Sequence, residues 1–106
     1  MVRTAYIFNN KTFTGRLLEI NGKYVFVYTK EYIHSSLPSI SLTLPKKQRT
    51  HRSPYLFPFF QGLLPEGNSR VFQCQRLRIS TNNKFSLLLQ LAGSETIGSI
   101  TVKDRI

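Results

Sequence analysis

The chain has 106 residues, 41% of them hydrophobic, with eight Phe and five Tyr; that suffices for one core and far exceeds what a disordered tail carries. Fifteen Lys and Arg against five Asp and Glu give a net charge of +10, a balance that suits polyanionic or acidic partners and equally suits a well-solvated small domain. No apolar run approaches the about 20 residues needed to span a bilayer, the first ten residues lack the apolar block and cleavage site of a secretory signal, and the lone Cys74 excludes an internal disulfide. These features point to a reducing, cytoplasmic setting without a membrane partner.

Taken in chain order, the first 45 residues predict strands, because β-branched and aromatic residues dominate and turn signals recur at short intervals. Ala5 to Phe8 precedes the turn signal Asn9-Asn10-Lys11, and Thr12 to Ile20 precedes Asn21-Gly22. Asn-Gly is the strongest two-residue hairpin signal, so Lys23 to Tyr28 should return antiparallel. Gly15, inside the second strand, suggests a bulge. Ser39 to Leu44 alternates polar and apolar, which predicts a further strand with Ile40, Leu42 and Leu44 on the core side. Pro45 should end it, leaving Lys46 to Ser53 as a loop.

The period then changes. Leu56, Phe59, Phe60, Leu63 and Leu64 share one helical face, and Pro54 suits the first turn of that helix. Pro65 ends it, and Gly67 supplies a joint before a second helix over about Ser69 to Ile79. Asn82 or Asn83 caps a third, with Phe85, Leu88, Leu89 and Ala92 at helical spacing and a stop at Gly93. Ile97 to Val102 should close the chain as a strand inside the sheet. The expectation is therefore a single α+β domain over 1–106, a mainly antiparallel sheet of about five strands with about three short helices.

Chemistry is sparse. The acids Glu19, Glu31, Glu66, Glu95 and Asp104 are scattered, which leaves no carboxylate pair to hold magnesium for phosphoryl transfer. The glycines are isolated, so no phosphate-cradling loop is legible. His34 and His51 lie in expected loops and read as surface histidines, and Cys74 reads as a half-buried helix cysteine. Two His and one Cys lack ligand spacing. No enzyme activity, cofactor or metal is expected. The densest charge falls at Lys46, Lys47, Arg49 and Arg52, placed to meet phosphates or an acidic surface, or simply to solvate a connection.

One block is specific. Ser41-Leu42-Thr43-Leu44-Pro45, then Phe59-Phe60-Gln61-Gly62-Leu63-Leu64-Pro65-Glu66-Gly67 with Arg70, then Phe85 to Leu89, then Gly93 and Ile97 to Val102 follow in order and spacing. Together they resemble the N-terminal subdomain of HipA-type toxin kinases across nearly the whole chain. A free-standing copy of that subdomain is similar to the HipS-type antitoxins of HipBST systems. The resemblance implies a partner, a HipT-type serine/threonine kinase toxin held inactive in trans, with a HipB-type DNA-binding protein in the same complex. It also implies contact through the connection Pro65, Glu66, Gly67 and Asn68, leading to Arg70. An accessory nucleic-acid role for the basic cluster, or origin as an excised piece of a longer kinase, stands beside it.

Overall fold

The computed structural model describes residues 2–80, 82–91 and 99–105. Five strands form one antiparallel sheet in the order β4-β3-β2-β1-β5, with β1 at Val2–Asn9, β2 at Thr12–Ile20, β3 at Lys23–Tyr28, β4 at Thr50–Ser53 and β5 at Ile100–Lys103. Four helices accompany it: α1 Lys30–His34, α2 Pro58–Gln61, α3 Gly67–Leu77 and α4 Lys84–Leu91.

The β2–β3 hairpin forms as its turn chemistry dictates. Ile20 pairs with Lys23, and Asn21 and Gly22 both take positive φ, 51° and 78°, as a type I′ turn requires. The bulge expected at Gly15 lies beside it. Ile7 pairs with Gly15 while Phe8 pairs with Phe13, so Thr14 is skipped by β1. Gly15 is needed for a different reason: a Cβ there would collide with the Val27 carbonyl oxygen and lie 3.1 Å from the Tyr28 Cα.

Because side chains alternate along each strand, one sheet face collects Ala5, Ile7, Leu17, Phe26, Tyr28, Ile100 and Val102, all buried. Tyr32 of α1, Phe60 of α2, Cys74 of α3 and Phe85, Leu87 and Leu88 of α4 join them in one core cluster. Arg3 fastens α4 to the sheet. Its guanidinium donates to Ser86 Oγ at 2.7 Å, lies 3.6 Å from Glu19 and stands 4.9 Å from the Phe85 ring centroid.

Several expectations are corrected. Residues 39–44 form no strand: the Leu44 amide bonds to the Ser41 carbonyl in a turn, and Leu42 is fully exposed while Leu44 is buried. The cause is tertiary. The buried Tyr28 hydroxyl donates to the Leu44 carbonyl and accepts from the Ile40 amide at 3.2 Å, so side-chain bonds take the place of a ladder. The expected loop at Lys46 to Ser53 instead contains β4, which pairs with β3 from Val27–Thr50 to Tyr24–Ser53. His51 is consequently buried rather than superficial, its Nε2 donating to the Pro45 carbonyl at 3.1 Å.

The helix expected from near Pro54 up to Pro65 is only the four residues of α2, Pro58–Gln61, with Pro58 in its first turn and Leu56, Leu63 and Leu64 outside it. Gly67 is the first residue of α3, at φ 56°, rather than a free joint. That helix ends at Leu77, before Ile79, because Arg78 adopts φ 58° and its amide turns back to the Cys74 and Gln75 carbonyls. Asn83 does cap α4, its Oδ1 accepting from the Ser86 amide at 3.2 Å. Cys74 is fully rather than half buried. β5 reaches only from Ile100 and lies at the sheet edge beside β1, because β2 already occupies the other side of β1. Ala92, Gly93 and 97–98 lie outside the described residues.

Candidate functional site

The connection from α2 to α3 is built by backbone chemistry. After α2 the chain makes two tight turns, Leu63 amide to Phe60 carbonyl and Leu64 amide to Gln61 carbonyl. These bury Leu63 and Leu64 and bring Pro65 to the surface. Arg70, one turn into α3, folds back: its Nε donates to the Pro65 carbonyl at 2.8 Å, while its amide bonds to the Glu66 carbonyl. Arg70 therefore pins the loop to the helix, leaving Glu66, Gly67, Asn68 and Ser69 exposed. Among the described residues Glu66 forms no ion pair.

The helix continues this exposed surface with apolar side chains. Val71 is 45% exposed and Phe72 63%, directly after the loop. An exposed Phe beside an exposed Val on one helix turn leaves apolar area that would gain by leaving water. The sequence alone does not select them, since Val71 and Phe72 fall in a segment whose apolar content reads as core. Their exposure follows from α3 burying only Cys74 and partly burying Leu77 in the main cluster.

The basic cluster is divided by the fold. The Lys46 ammonium donates to the Ser35 carbonyl at 2.8 Å and to the Leu37 carbonyl, and lies 5.1 Å from the Tyr32 ring centroid. It staples the segment after α1. Arg49 is exposed but directs Nε to the Tyr28 carbonyl at 2.9 Å. Lys47 and Arg52 are exposed with no ion pair among the described residues. The structure thus brings Pro65, Glu66, Gly67, Asn68 and Arg70 into one surface and spreads Lys46, Lys47, Arg49 and Arg52 over several. Among the described residues no three His, Cys, Asp or Glu side chains are grouped to hold a metal ion, and no helix is long and apolar enough to cross a membrane.

Comparison with known proteins gives one consistent result. Residues 5–103 match the family model of the HipA N-terminal domain. A solved structure described as the N-terminal domain of HipA toxin superposes with a TM-score of 0.78 at 29% identity, covering 100% of this chain and 95% of that one. An uncharacterized protein of Haemophilus influenzae is 30% identical over 98% of this chain and 94% of its own length. Two putative kinases of Sinorhizobium fredii, Y4mE and Y4dM, are 36% and 33% identical over 69% and 77% of this chain. The chain spans only 18% and 22% of those two proteins.

Proposed function

Because this chain belongs to the HipA N-terminal domain family, we propose that it is an antitoxin of the HipS type, a binding protein that restrains a HipT-type serine/threonine kinase within a HipBST complex. One observation carries this reading: Val71 and Phe72 are exposed directly beside the Pro65–Asn68 connection, in a domain whose relatives include about a fifth of each of two putative kinases. A domain that accompanies a kinase in one chain can dock on a kinase from another chain if its contact surface is preserved. The H. influenzae relative, matched over nearly its whole length, supports occurrence of the domain as a small protein.

The geometry supports a physical division of labour. Arg70 holds Pro65, so the backbone of the connection is ordered before contact and less entropy is lost on binding. Phe72 and Val71 supply apolar area, and Glu66 and Asn68 supply polar groups at its margin. Phosphoryl transfer belongs to the kinase partner, and restraint acts by occupying the position this domain's counterpart holds in the longer kinases. A HipB-type DNA-binding protein completes the complex.

The test is co-expression with a HipT-type kinase toxin from the same genome, scored by growth and by co-purification. Protection together with a stable complex is the expected outcome. Continued growth arrest with no complex would sink the antitoxin reading. Phe72→Ser, at a side chain exposed in the isolated domain, should abolish protection while leaving the melting temperature unchanged.

A further inference from the structure

We propose that the face of the sheet opposite the core is a binding platform for single-stranded nucleic acid, a role separate from kinase restraint. The strand register places Tyr6 opposite both Arg16 and Lys103, Phe8 opposite Phe13 and Thr101, and Leu18 opposite Val25, which in turn faces Arg52. All these side chains project to one side. Tyr6, Phe8, Phe13, Leu18, Val25 and Val27 are only half-buried, and none belongs to the core cluster.

Two properties of this face identify its ligand. The first is an aromatic cluster on the neighbouring strands β1 and β2, with Phe13 centred 6.0 Å from Tyr6 and 5.4 Å from Phe8. The second is charge of one sign. Arg16 lies 5.2 Å from the Phe13 ring centroid and Lys103 lies 4.9 Å from that of Phe8. Lys23 and Arg52 line a shallow cleft of about 500 Å3 at the far end of the same face.

Among the described residues none of these four cations forms an ion pair, and no Asp or Glu stands on this face. Glu19 points to the core side with Arg3, and Asp104 lies beyond the end of β5. A second copy of the chain would bring four cations against four and is disfavoured by like charge. A carboxylate-rich protein would satisfy the cations but leave the rings unmet. A single strand satisfies both, since phosphates meet the Lys and Arg side chains while bases stack on rings and guanidinium planes. A duplex keeps its base faces stacked inside, so it meets the cations with phosphates but offers the rings no base to stack on.

The experiment is fluorescence anisotropy of the full chain with labelled 12-nucleotide single-stranded RNA and DNA, compared at equal ionic strength with duplex DNA, polyphosphate and polyglutamate. Binding of either single strand more tightly than the three controls is expected, weakening steeply with salt. Phe13→Ala should cost at least about fivefold in affinity, and Lys103→Gln, an exposed change that spares the fold, should weaken binding and reduce its salt dependence. The RNA and DNA arms tell the two sources of the strand apart. The proposal is overturned by no single-strand binding at low salt, by polyphosphate or polyglutamate binding equally well, or by a folded Phe13→Ala chain that binds like the wild type. None of these outcomes touches the antitoxin reading, whose test is the kinase complex.

Discussion

Tyr28 shows how one hydroxyl organises a segment whose sequence pattern points elsewhere. Its ring is buried in the core, stacked 5.7 Å from Tyr32, while its hydroxyl joins the Ile40 amide and the Leu44 carbonyl. Tyr28→Phe leaves both groups without that partner and should cost about 1–3 kcal/mol, read from urea denaturation. Burial also pushes the Tyr28 phenol above its ordinary value of 10.0. A raised folded-state pKa means the unfolded chain releases its proton first. The stability it contributes is present below about pH 10 and is lost as pH rises through the folded value. The urea midpoint should therefore fall as pH rises above about 10, and less steeply in Tyr28→Phe. Tyr24, raised by burial and by its bond to Glu19, accounts for part of the remaining fall. Gly15 is the other sensitive position: Gly15→Ala drives a methyl into the Val27 carbonyl and should destabilise by at least about 2 kcal/mol. Gly67→Ala meets no atom within 4 Å but must hold φ at 56°, so a smaller loss of about 1 kcal/mol is expected in the same assay.

At the scale of elements, the legible ones carry their own local chemistry. The Asn21-Gly22 turn, the Asn83 cap and the first-turn Pro58 are local devices, although the choice of Pro58 over Pro54 needed the fold. The segment after α1 carried a misleading one. Its alternation is real, with Ile40 and Leu44 both inward, but a turn and Tyr28 achieve that burial without a pleat. β4 was hidden for the converse reason: Thr50-His51-Arg52-Ser53 has no apolar alternation, and pairing with β3 makes it a strand. Lys46 and Lys47 are neighbours in one charge run with opposite roles. Lys46→Ala removes the staple to the Ser35 and Leu37 carbonyls and should lower stability by about 1–2 kcal/mol, whereas Lys47→Ala should leave thermal unfolding unchanged. At the candidate site, the Pro65–Gly67 motif was readable as a connection, but Val71 and Phe72 were not, because exposure is a property of how α3 sits on the core.

For the whole molecule, charge is the governing quantity. A net charge of +10 on 106 residues opposes compaction by self-repulsion. Raising sodium chloride from about 10 mM to about 150 mM shortens the Debye length to about 8 Å and should raise the melting temperature. A charge-neutralising pair at exposed Arg16 and Lys103 should reduce that salt response in the same thermal scan. The sequence by itself determined the α+β class, the helix-rich second half, the absence of a legible carboxylate pair and the family, because these rest on period, composition and ordered motifs. Only the tertiary structure decided which residues of those elements reach the surface, and on which face. It buried His51, tied Lys46 to carbonyls, exposed Phe72, and put Arg16, Arg52 and Lys103 on one face with Tyr6, Phe8 and Phe13. The physical reason is that a surface is assembled from strands and turns distant in the chain, so its charge and aromatic content exist only once register and side are set.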